Sequence, residues 1–118
     1  MNTYKELKVW QKAMDLTDAV YDITKQLPKE ETYALSDQLR RAVVSIPSNI
    51  AEGSGRNTTK DYVNFLGIAR GSLFEVDTQL LTCKRRNFIT EEEYQKLSNE
   101  ICEVGRMLKG LINKLNEK

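Results

Sequence analysis

The sequence predicts an all-α protein, an antiparallel up-down-up-down four-helix bundle, and three observations carry that prediction. Apolar residues recur at three- and four-residue spacing along four long segments, the period of one helix face. Short stretches marked by Pro28, by EGSGRN and by Asn87 separate the segments, and four helices joined by short loops must alternate in direction. At 118 residues the chain fits one domain, residues 1–118, which buries a core without disulfides or a structural metal.

Val9, Ala13, Leu16, Val20, Ile23 and Leu27 follow a 4-3-4-3-4 spacing, the seam of a helix packed in a bundle. Pro28 ends helix 1 because its ring disfavours helical backbone at Leu27, and the polar KEET stretch makes the connection. Leu35, Leu39, Val43, Ile46 and Ile50 form the stripe of helix 2, with Thr32 expected to cap its free N–H groups. Pro47 falls inside this helix, removes a backbone hydrogen bond and crowds the previous turn, at about 3 kcal/mol. The stripe keeps its phase across the proline, so a kink is expected. Asn49 and Glu52, in the polar stripe with Ser45 and Ser48, are expected to satisfy the kink and the loop after it, a ligand site being the alternative.

Thr58 and Asp61 make a capping-box-like start to helix 3, whose seam runs through Tyr62, Phe65, Leu66, Ala69, Leu73, Val76, Leu80 and Cys83. Thr90 and Glu93 form a better capping box, and Glu91 and Glu92 add negative charge at the positive end of helix 4. Tyr94, Leu97, Ile101, Val104, Leu108, Leu111 and Leu115 then repeat with the most regular heptad spacing in the chain. The helices should span approximately residues 5–27, 33–52, 59–87 and 91–116, within a few residues at each end.

Composition narrows the function. Eighteen basic and seventeen acidic side chains nearly cancel, so any nucleic-acid site must be local. The stretch MNTYKELKVW is polar, without the apolar core of a secretory signal, and no apolar run approaches the roughly 20 residues of a membrane span. A cytoplasmic protein with no membrane partner is expected.

No catalytic residue, cofactor site or metal site is predicted. The chain contains no histidine, which rules out the Glu-x-x-His pairs of a ferritin-like di-iron centre and removes the commonest general base. Cys83 precedes the helix 3–4 turn by about five residues and Cys102 follows it by about fourteen, which separates them by roughly 13 Å in height. No disulfide is expected, and both thiols should be part-buried. GSGR beside Thr58 to Lys60 reads either as an anion nest at a helix N-terminus or as an ordinary loop. Arg40-Arg41 and Lys84-Arg85-Arg86 read as salt-bridged, solvated faces.

Two helices carry more apolar residues than one core needs. At about 100° per residue, Leu7, Trp10, Met14 and Tyr21 fall on the side of helix 1 away from its seam. On helix 3, Val63, Gly67, Phe74 and Leu81 do the same, with Gly71 close by. A glycine inside a helix costs about 1 kcal/mol relative to alanine, and two of them four residues apart make sense where another helix approaches. These nine residues are the expected homo-oligomer interface.

LKVWQKAMDL, YALSDQLRRAVVSIPSNIAEGSGR and DYVNFLGIARGSLFEVDTQL together resemble the four-helix-bundle family named for proteins encoded in intervening sequences of bacterial 23S rRNA genes. SIPSNIAEG and ARGSLFE are the specific parts. That family is similar to the accessory proteins of diversity-generating retroelements, which form pentameric rings that bind nucleic acid and reverse transcriptase. The resemblance implies a bacterial homo-oligomer, a pentamer by that analogy, with an RNA or DNA partner and no catalysis. The alternative is an oligomeric scaffold whose partner is another protein.

Tracing the bundle gathers Lys5, Lys8, Arg56, Lys60, Lys114 and Lys118 at one pole, where helices 1 and 3 begin and helices 2 and 4 end. Glu6, Glu52, Asp61 and Glu117 share it, which leaves a slight basic excess for nucleic acid to meet.

Overall fold

The apolar seams form the helices expected of them, and a computed structural model describes residues 3–117. A 3-10 turn at Tyr4–Glu6 leads into α1 (Lys8–Thr24), and a second at Lys29–Glu31 leads into α2 (Leu35–Ser54). Then come α3 (Thr59–Arg85) and α4 (Glu91–Asn116), with no strand among the described residues. Each helix packs on its two neighbours round a ring, α1 on α2, α2 on α3, α3 on α4 and α4 on α1, with no close backbone approach across the diagonals among the described residues. The result measures 47 × 23 × 21 Å.

All six seam residues of α1 and the turn after it are buried, as are Leu39, Val43, Ile46 and Ile50 of α2. Leu66, Ala69, Leu73, Val76, Leu80 and Cys83 of α3 join Leu97, Ile101, Val104 and Leu108 of α4 in the same core. Heptad ends such as Leu35, Tyr62, Tyr94, Leu111 and Leu115 close it as half-buried caps.

Helix 1 falls within the few residues allowed at each end, and two other local expectations need correction. Helix 1 starts and stops inside its expected limits because Leu7 is extended (φ −72°, ψ 126°) and the chain after Thr24 tightens. There Lys25, Gln26 and Leu27 donate to Asp22, Ile23 and Thr24, a 3-10 pattern that finishes before Pro28. Thr32 does not cap helix 2. Its own backbone is helical, closing the Lys29–Glu31 turn, and α2 begins at Leu35, whose N–H approaches Glu31 Oε1 at 3.4 Å.

The second correction is the glycine-rich loop. α2 runs on through Gly53 and Ser54, so only residues 55–58 connect it to α3. Gly53 is buried because α3 crosses it closely: a Cβ there would stand 2.8 Å from Phe65 Cβ and 3.0 Å from the Tyr62 ring.

The two capping signals hold. Asp61 N–H donates to Thr58 Oγ1 at 3.1 Å, while Thr90 and Glu93 exchange both bonds of a capping box. α3 ends in a Schellman motif with Asn87 left-handed (φ 64°), Phe88 N–H donating to Cys83 O and Asn87 N–H to Lys84 O.

Pro47 is accommodated inside α2. Having no N–H, it leaves the Val43 carbonyl four residues earlier without its helical donor. Thr17 of α1 stands there, its hydroxyl 3.5 Å from Val43 O while donating to Ala13 O at 2.8 Å. Asn49 donates to Ser45 O at 2.7 Å, and Glu52 reaches forward to Arg56 across the following loop.

Candidate nucleic-acid interface

The expected pole forms from four pieces of chain. Thr3, Tyr4 and Leu7 meet Ser54 of α2 and Tyr62 of α3 around a cavity of about 260 Å³. On the other side of the α3 start, Thr59, Lys60, Val63 and Asn64 face Leu115 and Asn116 of α4 around a second cavity of about 280 Å³. Lys5, Lys8, Lys60 and Lys114 are exposed there. None pairs with a carboxylate among the described residues. Lys118 lies outside the described residues.

Arg56 is held in place. Its Nη2 lies 2.7 Å from Glu52 Oε2, and its guanidinium carbon sits 4.8 Å from the centre of the Phe65 ring. An exposed pair of this kind contributes under about 1 kcal/mol, so a phosphate competes for the guanidinium at little cost. Burial pushes the Tyr62 hydroxyl above its ordinary pKa, which keeps it a neutral hydrogen-bonding group.

The anion nest is not formed. No glycine among the described residues has positive φ, and Gly55 is near helical at φ −90°, ψ 0°. The N–H groups of Gly55 and Arg56 donate to Glu52 O and Gly53 O, so these two are not free for a ligand.

The nine expected interface residues divide by exposure. Leu7 and Trp10 are half-buried against the core, and Trp10 meets Tyr4 edge to face at 5.3 Å. Met14 and Tyr21 remain exposed at 36% and 41%, and Phe74 and Leu81 at 55% and 37%. Val63 is half-buried, while a Cβ at Gly67 or Gly71 would meet nothing within 4 Å. Arg70 covers part of the Phe74 face, its guanidinium carbon 5.2 Å from the ring centre. Sequence reasoning missed Val44 and Ile68, exposed at 42% and 53%. Val44 sits in the apolar AVVSI run, where a helical wheel separates it from Val43 by about 100° and gives the missing signal.

Elsewhere the basic clusters are only partly paired. Arg41 bonds Asp37 at 3.1 Å and Lys84 bonds Glu91 at 2.7 Å, as expected. Arg85 and Arg86 have no acidic partner among the described residues and instead border a cavity with Thr82. Between α1 and α4, Asp22, Glu93, Lys96 and Glu100 line a cleft of about 260 Å³. Burial raises the Glu100 carboxyl above its usual range, Lys96 counters this, and Asp15 adds to it.

Cys83 is fully buried and Cys102 exposed, both as free thiols, which corrects the expectation that both would be half-covered. Among the described residues no group of three or more His, Cys, Asp or Glu side chains is placed to hold a metal ion. Nor is any helix long and apolar enough to cross a membrane.

Fold and surface together define an up-and-down four-helix-bundle protein with apolar residues uncovered on two flanks and lysines gathered at one end. Comparison with known families makes this specific: the chain belongs to the family described as 23S rRNA-intervening sequence protein, whose pattern matches residues 5–110. Among solved structures it is similar to a protein of unknown function from the S23 ribosomal protein family of Bacteroides thetaiotaomicron. The two share 28% identity and superpose with a TM-score of 0.82 over 88% of this chain and 97% of that one. No curated protein matches the chain.

Proposed function

We propose that this protein is a cytoplasmic homo-oligomer with a binding role and no catalysis of its own, whose lysine-bearing pole meets RNA or DNA. By analogy with the retroelement accessory proteins, a pentameric ring is the favoured assembly. The observation that carries self-assembly is the pair of exposed apolar flanks. Met14 and Tyr21 stand two turns apart on one side of α1, and exposed Val44 follows Val43, whose carbonyl approaches Thr17 of α1. Phe74 and Leu81 stand two turns apart on α3, across the bundle. Two different patches on opposite flanks favour a head-to-tail contact, which closes into a ring when the rotation allows.

The nucleic-acid part rests on Lys5, Lys8, Lys60 and Lys114, none of which is ion-paired with a carboxylate among the described residues. A ring repeats this small excess once per subunit, and weak phosphate contacts then sum to sequence-independent binding. Light scattering at micromolar concentration should give a multiple of 13.6 kDa, and a mass of one chain sinks self-assembly. RNA binding should weaken steeply with salt. Replacing Arg56 and Lys60 by alanine should weaken binding to all sequences alike and flatten the salt slope. An oligomer that binds neither RNA nor DNA at low salt supports the protein-scaffold alternative instead.

A further inference from the structure

We infer that the cavity between the first 3-10 turn, the end of α2 and the start of α3 takes an unpaired nucleobase, so that single-stranded nucleic acid rather than duplex is the ligand of the pole. This rests on the nucleic-acid reading above and adds a base site that phosphate contacts alone do not supply.

The lining has the chemistry of a base site. Tyr4 and Tyr62 bring two aromatic rings to the lining, Leu7 an apolar side chain and Thr3 a hydroxyl, while the Ser54 hydroxyl donates to Ala51 O at 2.9 Å and can only accept. About 260 Å³ leaves room for one planar base. Both rings are anchored beforehand. Tyr4 rests edge-on against Trp10 with the planes at 67°, and Tyr62 packs closely on α2, where a Cβ at position 53 would stand 3.0 Å from its ring. Stacking on such rings tolerates any base because every base presents a π-face.

Charge complements the rings. Within two residues in sequence of the lining residues lie Lys5, Lys8, Arg56 and Lys60 against Glu6, Glu52 and Asp61, a slight basic excess, and Glu52 is already paired with Arg56. The 280 Å³ cavity beyond the α3 start, with Lys60 on its rim and no aromatic residue, offers the strand a path onward. The α1–α4 cleft is acidic on balance, with Asp22, Glu93 and Glu100 against Lys96, and so disfavours phosphate. A duplex keeps its bases stacked and must flip one out to use the Tyr4 site, whereas a single strand does not.

The test uses the full chain in its native assembly and three probes: a twelve-nucleotide oligouridine, an abasic strand of equal length, and a duplex of equal nucleotide count. Fluorescence anisotropy at low salt should show oligouridine binding about tenfold tighter than the abasic strand, the usual scale of one stacked base. It should also bind tighter than the duplex, although the duplex carries the denser charge. Oligouridine should quench Trp10, the neighbour of Tyr4. Tyr4→Leu should remove most of the margin over the abasic strand while abasic binding stays within twofold, and Tyr4→Phe should retain it. Equal affinity for base-bearing and abasic strands, preference for duplex, or equal losses for both strands in Tyr4→Leu overturns the base site and leaves the phosphate reading standing. Absence of binding to all three probes overturns both.

Discussion

Gly53 and Gly110 make a paired test of how tightly α2 and α3 are locked together. Both lie inside helices, where exchanging glycine for alanine is worth about 1 kcal/mol in backbone propensity. At Gly110 a new Cβ meets nothing within 4 Å, so Gly110→Ala should stabilise by most of that amount. At Gly53 the same atom would stand 2.8 Å from Phe65 Cβ, 3.0 Å from Tyr62 Cδ1 and 3.2 Å from Tyr62 O. Two of these three atoms move only with the α3 backbone, so the helices must part, and overpacking of this kind costs about 1–3 kcal/mol. The propensity gain offsets part of it, leaving Gly53→Ala destabilised by about 1 kcal/mol. Urea unfolding of both variants at one protein concentration measures the difference, which should also appear as a melting shift of about 4 °C in opposite directions. Equal stabilisation by the two substitutions would show that α3 yields freely and refute the close-approach argument.

Other expected outcomes follow from single interactions. Thr90→Ala removes the hydroxyl half of the capping box that starts α4 and should cost about 1 kcal/mol in urea unfolding; an unchanged midpoint would mean Glu93 caps that end alone. Burial, reinforced by Asp15 and Glu103 against Lys96 and Lys12, raises the folded pKa of Glu100, so its charge disfavours the fold above that pKa and the cost disappears as pH falls below the unfolded value. Glu100→Gln should therefore raise the melting temperature at neutral pH and lose its advantage in acid, and a gain independent of pH would assign the effect to packing. Cys102 is exposed, whereas burial, helped by Glu31, pushes the Cys83 thiol up to about 11. A thiol reagent at neutral pH should modify one cysteine per folded chain and two after denaturation; two fast thiols in the folded protein would contradict the buried position.

Much of the bundle was legible because helix formation and termination depend on residues near one another in the chain. Spacing alone placed Leu16, Val43, Val76 and Leu108 in the core, where they are buried. The Thr90 to Glu93 signal spans one turn and marked the start of α4 at Glu91. Thr32 failed by the same local logic, because Lys29–Glu31 formed a competing 3-10 turn that took the threonine into its end.

The site was legible only in outline. The sequence placed the lysines at one pole, since chain direction reverses at each short loop. It could not say that Arg56 would lie between Glu52 and Phe65 while Lys5, Lys8, Lys60 and Lys114 paired with no carboxylate among the described residues. Nor could it separate Trp10, which packs on Tyr4, from Met14 one turn further on, which stays exposed.

By itself the sequence determined the four helices, the phase of their buried faces and the up-and-down order, because period, caps and short connections act within a few residues. Tertiary structure alone decided which glycine another helix needs and which carbonyl a distant hydroxyl approaches. Gly53 is filled by Phe65 and Tyr62 while Gly67 and Gly71 stand open, and Thr17 meets the carbonyl that Pro47 leaves bare. Each is a contact between segments remote in the chain, set by the depth and height at which two helices cross, and a one-dimensional spacing holds neither quantity.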